Sequence, residues 1–194
     1  MCIFATVMTT AAIIISILFI LCLTAPVVTR SVGLLKADDK PVQKFIIPLM
    51  FGITQGVAAT LGYNLGRLMS HLFVYVAEYM VFVMMLVVAV KMFVDSMRVL
   101  KGKMLYTVQS DWDILGLSVL AAMNTLLMSL MGFCFMPFGL WFILAVVVAG
   151  FLWAVFTTRV DFTPGVIKKL SFVEFSAAVF MVVIAVLYMF TDLI

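Results

Sequence analysis

Six stretches of this chain are apolar over about 20 residues each, the length an α-helix needs to cross the roughly 30 Å hydrocarbon core of a bilayer. They run at about 2–28, 45–65, 72–94, 114–135, 138–156 and 170–190. Composition agrees, with 66% of the 194 residues apolar and 11% charged. A soluble domain is about half apolar and about a quarter charged, and no soluble core of this length buries so much apolar surface. An all-α polytopic membrane protein follows, a single membrane domain over residues 1–194, with the lipid bilayer as its main partner. Disorder, a disulfide-stapled secreted domain and a nucleic-acid-binding module are excluded. The first run has no N-terminal Lys or Arg and no small-residue cleavage site, so it reads as a span and not as a signal peptide.

The links between runs are unequal. Gly66 to His71 and Gly132 to Pro137 are short, which predicts antiparallel neighbours for the second and third helices and for the fourth and fifth. The other three links are longer and polar; the clearest is Lys36-Ala37-Asp38-Asp39-Lys40-Pro41, where Pro41 disfavours a continuing helix. Arg30, Lys36, Lys40, Lys44, Lys91, Arg98, Lys101, Lys103, Arg159, Lys168 and Lys169 all flank these long links, and of the 12 basic residues only Arg67 lies on the other side. Lys and Arg accumulate on the cytoplasmic side. The long links therefore face the cytoplasm and both termini face outside, in a plasma membrane of the bacterial inner-membrane type.

Three helices, a link and three helices suggest two repeats, over 1–96 and 112–194. With an odd number of spans per half the repeats are inverted, a plan secondary transporters use with the substrate path at the repeat interface. At an offset of 100, Thr24 corresponds to Asn124 and Thr29 to Ser129.

The second run is rich in glycine. Gly52/Gly56 and Gly62/Gly66 are both G-x-x-x-G pairs, and small residues four apart let two backbones approach closely in lipid. This helix is expected at the centre of the bundle, either packing closely or also lining a path. Gln55 and Asn124 sit well inside their helices, where unpaired amides are costly. They either offer carbonyl oxygen to a cation or bond helices together. Thr24, Thr29, Thr54 and Ser129 carry hydroxyls that can also bond to their own helix backbone.

Ionisable residues inside a membrane invite a functional reading. Glu78 lies about two turns into the third run from its outer end, and Glu174 near the inner start of the sixth. Lys91 and Asp95 are spaced to pair along one helix face, and Lys91 is expected to snorkel to the cytoplasmic interface. No nucleophile–base set, carboxylate pair within one helix or phosphate-cradling glycine loop is present, so no enzyme and no cofactor are expected. Cys2, Cys22 and Cys134 form no C-x-x-C pair, and His71 is the only histidine. The 16 methionines are scattered as filler without a sustained M-x-x-M series.

The stretch Phe51-Gly52-Ile53-Thr54-Gln55 followed by Gly62 and Gly66, the series Lys91-Met92-Phe93-Val94-Asp95, and Lys168-Lys169 with Glu174 together resemble the MntP-type manganese exporters, six-helix proteins of the lysine-exporter superfamily. The resemblance implies a manganese or other divalent-cation efflux transporter. It also implies carboxylates at three ligand positions: an aspartate followed by alanine in the first and fourth helices, and a glutamate in the second. Those positions here are Thr24-Ala25, Asn124-Thr125 and Gln55, all neutral and oxygen-bearing. A hard divalent cation favours carboxylate, carbonyl and water oxygens. The expected path is therefore a neutral one through Thr24, Gln55 and Asn124, with Thr29 and Ser129 beside it and no confident metal ligand set. The alternative is a non-transporting subunit that keeps the scaffold inside a membrane complex, partnered by another membrane protein or by copies of itself.

Overall fold

The computed structural model describes residues 10–32, 34, 41–73, 75–101, 111–131, 139–160 and 163–191. Among them every regular element is an α-helix: α1 (Thr10–Thr24), α2 (Pro26–Ser31), α3 (Pro41–Phe73), α4 (Ala77–Leu100), α5 (Asp111–Ser129), α6 (Gly139–Thr157) and α7 (Pro164–Thr191). Helices α3 to α7 are each long and apolar enough to cross a bilayer, whereas α1 and α2 together make a shorter apolar piece, Ile15–Ser31. The chain is an all-helical polytopic membrane protein. Cys2 and Cys134 lie outside the described residues, as do the side chains of His71 and Glu78; Cys22 is buried as a free thiol.

The first apolar run is broken where Pro26 interrupts it. Proline has no N–H and its ring crowds the carbonyl four residues back. The Cys22 carbonyl instead accepts the Ala25 N–H at 3.2 Å, and the Ala25 carbonyl restarts the ladder by accepting from Val28 at 2.9 Å. Ala25 keeps helical torsions (φ −54°, ψ −31°), so the chain bends without reversing. At 33 residues, α3 is about 50 Å long at 1.5 Å per residue, well beyond the apolar core of a bilayer.

Glycine explains why α3 is central. A Cβ added at Gly52 would lie 3.1 Å from both Phe151 Cβ and the Val147 carbonyl oxygen of α6, and one at Gly56 would collide with Val147 Cγ2. On the α5 side, a Cβ at Gly62 would lie 2.5 Å from the Leu126 carbonyl oxygen and overlap the Ser129 hydroxyl. Gly150 of α6 reciprocates, since a Cβ there would sit 2.9 Å from Gln55 Cγ. Gly66 is also buried. Helix α3 therefore packs against both α5 and α6, and α4 packs against α7. Phe45 meets Phe151 edge-on at 5.9 Å across α3 and α6, and Phe93 meets Phe175 at 5.2 Å across α4 and α7. The α1–α2 unit touches α5, α6 and α7.

This arrangement corrects one expectation. The helices joined by short links, α3 with α4 and α5 with α6, are not among the closely packed pairs. A short link fixes only where two ends meet. The glycine face of α3 brings in α5 and α6 at backbone range, and α4 is left to pack with α7.

The buried side chains form two apolar clusters. One gathers Phe19, Leu23, Val81, Val88, Met92, Met128, Val146 and Met181, and the other Val27, Phe51, Leu117 and Ala154. Ile17, Val57, Leu61, Val90, Val148, Leu152 and Phe180 are exposed, as residues facing lipid tails would be. Tyr75, Tyr79 and Trp141 are exposed at one end of the bundle, and Trp112 and Phe156 at the other, where amphipathic rings mark membrane–water interfaces.

Gly56→Leu forces a large side chain into the α3–α6 contact, and overpacking of this kind typically destabilises by about 1–3 kcal/mol. A lower melting temperature in detergent is expected. Gly116→Leu is the control, because nothing lies within 4 Å of a Cβ there, and it should melt as the parent does. Equal melting of Gly56→Leu and the parent would show that this face of α3 has room.

Candidate cation site

Breaking the first helix at Pro26 leaves a six-residue helix, α2, whose last turn carries Thr29, Arg30 and Ser31. Arg30 turns inward. Its Nη2 donates to Asp95 Oδ2 of α4 at 2.8 Å, and its Nη1 donates to the Pro26 carbonyl at 3.3 Å. Arg30 is 6% exposed, and the Asp95 side chain 11%. Two charges this far from water need such a bond, because the desolvation penalty is several kcal/mol per ion in real proteins.

Thr29, next in sequence, serves a different acidic residue. Its hydroxyl donates to Glu174 Oε2 of α7 at 2.6 Å. Glu174 is fully buried, and its second oxygen, Oε1, has no hydrogen-bond partner. Arg30, Asp95 and Lys91 all act on this carboxylate electrostatically. Glu174 lies ten residues into α7, about 15 Å along the axis.

Lys91 of α4 is half-buried and reaches across to α5, where its Nζ donates to Asn124 Oδ1. One residue on, Thr125 donates its hydroxyl to Gln55 Oε1 of α3. Both amides therefore use their oxygens, while the amide nitrogens, Gln55 Nε2 and Asn124 Nδ2, are buried without partners. Thr24 is fully buried, and its hydroxyl turns back to the Ile20 and Leu21 carbonyls of its own helix at 2.9 and 3.3 Å. Ser129 donates to the Leu126 carbonyl at 3.1 Å and lies 3.4 Å from the Ala58 carbonyl of α3.

Among the described residues the interior thus holds two basic groups, Arg30 and Lys91, and two acidic ones, Asp95 and Glu174, on three helices, with Asn124 of α5 joined to them through Lys91. Two expectations are corrected. Lys91 does not snorkel, because Asn124 and the nearby carboxylates draw it inward. Lys91 and Asp95 do not pair along α4, because Asp95 is taken by Arg30 of α2 and Lys91 reaches to Asn124 of α5. Arg30 and Thr125 were not singled out from the sequence. Arg30 was counted with the cytoplasmic link, although it stands only four residues past Pro26 at the end of an apolar run. Thr125 follows Asn124 directly and is masked by it as the more polar of the two.

Chemically, the cluster offers carboxylate, amide and hydroxyl oxygens, the ligand types of hard cations. Among the described residues no group of three His, Cys, Asp or Glu side chains is placed to hold a metal, so any cation here would rely on neutral oxygens as well. Comparison with curated proteins and with solved structures gives no match. Comparison with protein families does: residues 38–186 match the MntP family, described as "putative manganese efflux pump", and a match over that much of the chain means that the protein belongs to this family of membrane transporters.

Proposed function

We propose that this chain exports divalent cations, manganese foremost, across a plasma membrane, along a path between two inverted three-helix halves, 1–96 and 112–194. The observation that carries the reading is Glu174, a carboxylate fully buried in the bundle with one oxygen bonded and the other open. A carboxylate at this depth is hard to account for as packing alone, since intramembrane carboxylates are rare and mark ion pathways. The path candidates are Thr24, Thr29, Gln55, Asn124 and Ser129, with Glu174 as the anionic group beside them. The pairing of α3 with α6 and of α4 with α7 supports the inverted plan, because these pairs map onto themselves about an in-plane two-fold axis. The chain needs no enzymatic role or cofactor for this task.

Purified protein in liposomes loaded with a manganese-quenched dye should carry Mn²⁺ flux. Glu174→Gln, which keeps the shape and removes the charge, should lower that flux at least tenfold while the protein still elutes as a folded species. Flux unchanged by Glu174→Gln would remove the carboxylate from the path.

The orientation proposed has the long links in the cytoplasm and both termini outside. It is supported by Arg98, Lys101, Arg159, Lys168 and Lys169, exposed at one end of the bundle, against Arg67 at the other. In a cysteine-free background, single cysteines at Lys36, Lys103 and Lys168 should be labelled only from the cytoplasmic side. Labelling from outside would invert the topology.

A second reading is favoured by the buried Arg30–Asp95 ion pair, which also suits a sealed structural core. In that reading the chain is a non-transporting subunit. It should co-purify from native membranes with a membrane protein in fixed ratio, or as an oligomer of itself, and carry no flux alone.

A further inference from the structure

Lys91 separates this cluster from an ordinary set of buried ion pairs. It lies nine residues before the end of α4. A lysine near the end of a membrane helix ordinarily extends its ammonium to the interface, and this one points inward to Asn124 Oδ1. Arg30 bonds to Asp95 and acts on Glu174 as well, so Lys91 is one of two cations in the field of both carboxylates. The contact to Glu174 Oε2 comes from Thr29, and Oε1 is left without a hydrogen bond.

Two features follow. The ammonium sits on a neutral amide oxygen of the kind that binds hard cations. The buried carboxylate of Glu174 keeps an open acceptor. Remove the ammonium and, among the described residues, the interior loses one positive charge while Asn124 Oδ1 and Glu174 Oε1 are both left without a hydrogen bond. We propose that the Lys91 ammonium is a tethered occupant of the cation site, competing with the divalent cargo for Asn124 and for the charge of Glu174, so that it has to swing away before cargo binds. Lys91 is then a residue that sets cation affinity. The proposal deepens the exporter reading and rests on it for the identity of the cargo.

The same geometry gives a reason for the neutral amide. An aspartate at 124 would hold Lys91 in an ion pair, adding charge–charge attraction to a bond the ammonium already assists, and the occupant would leave with difficulty. Asparagine holds it and lets it go.

The test is Mn²⁺ binding to purified full-length protein in detergent by isothermal titration. Lys91→Gln and Lys91→Met should each bind Mn²⁺ at least tenfold more tightly than wild type. Lys91→Arg, which keeps the charge, should not gain affinity, and the double variant Lys91→Gln/Glu174→Gln should lose what the single variant gained. Equal affinity in wild type and both neutral variants overturns the proposal, as does a gain that survives removal of Glu174. Should neither neutral variant fold, acetylation of wild-type lysines read by mass spectrometry carries the test. Lys91 should become more reactive when Mn²⁺ is added, and unchanged reactivity overturns the proposal. Binding and flux separate the two readings. Tighter binding in Lys91→Gln without flux in any variant would remove the exporter and keep Lys91 as occupant; flux in wild type with unchanged binding in the variants would do the reverse.

Discussion

Hydrocarbon solvates neither charge nor unpaired amide, and this constraint organises the interior of the protein. Arg30, Lys91, Asp95 and Glu174 stand on α2, α4 and α7, and each carries its charge among apolar side chains. Separately, each would be prohibitive there. Of these four described residues two are basic and two acidic, and the bonds they make with one another and with Thr29 and Asn124 hold α2 against α4, α2 against α7 and α4 against α5. A buried ion pair is weak evidence for stability in general, because desolvation offsets much of the attraction. Its effect here is to fix register, since Arg30 reaches Asp95 and Thr29 reaches Glu174 only in one setting of the three helices.

The break at Pro26 makes that setting possible. Thr29 and Arg30 are adjacent in sequence yet serve carboxylates on two different helices, so α2 lies where α4 and α7 converge. The Pro26 carbonyl lies against both, accepting from Arg30 Nη1 at 3.3 Å and standing 3.3 Å from the Thr29 hydroxyl, whose proton goes to Glu174. Discontinuous helices recur at transporter binding sites, where a short break puts polar groups at membrane depth. On the opposite flank the glycines of α3 perform the complementary task. By admitting α5 and α6 to backbone range, they bring Gln55 of α3 to Thr125 of α5 and lay Gly150 of α6 over the Gln55 side chain.

Run lengths and small-residue spacing made much of this legible. The apolar runs correspond to helices, and the glycines of α3 lie where backbones meet. Helix partners were not legible from link lengths, because a six-residue link constrains two ends and says nothing about which faces match. Nor was the charge cluster. Arg30 and Lys91 look like interfacial basic residues when each is weighed against its own helix, and only the carboxylates on other helices reverse that reading. Glu174 was visible as an acid near a helix start, but ten residues along α7 is already deep when the helix begins at Pro164. Asn124 and Gln55 were recognisable as polar groups needing partners. The partners themselves, Lys91 and Thr125, depend on packing that no single helix encodes.

The proposed halves are also unequal in how they use corresponding residues. Thr24 and Asn124 occupy matching places at an offset of 100, yet Thr24 spends its hydroxyl on its own helix while Asn124 accepts a cation. Thr29 donates to a carboxylate, and its counterpart Ser129 lies against the backbone of α3 beside Gly62. The two halves therefore use matching places differently. An ammonium that bridges them through Asn124 links the two halves by a bond made and broken at one atom. A cation arriving at that atom would do more than take a vacant place. It would release the α4–α5 contact that Lys91 holds, and so loosen one half against the other at the moment of binding. Alternating access requires that coupling between occupancy and the fit of the halves.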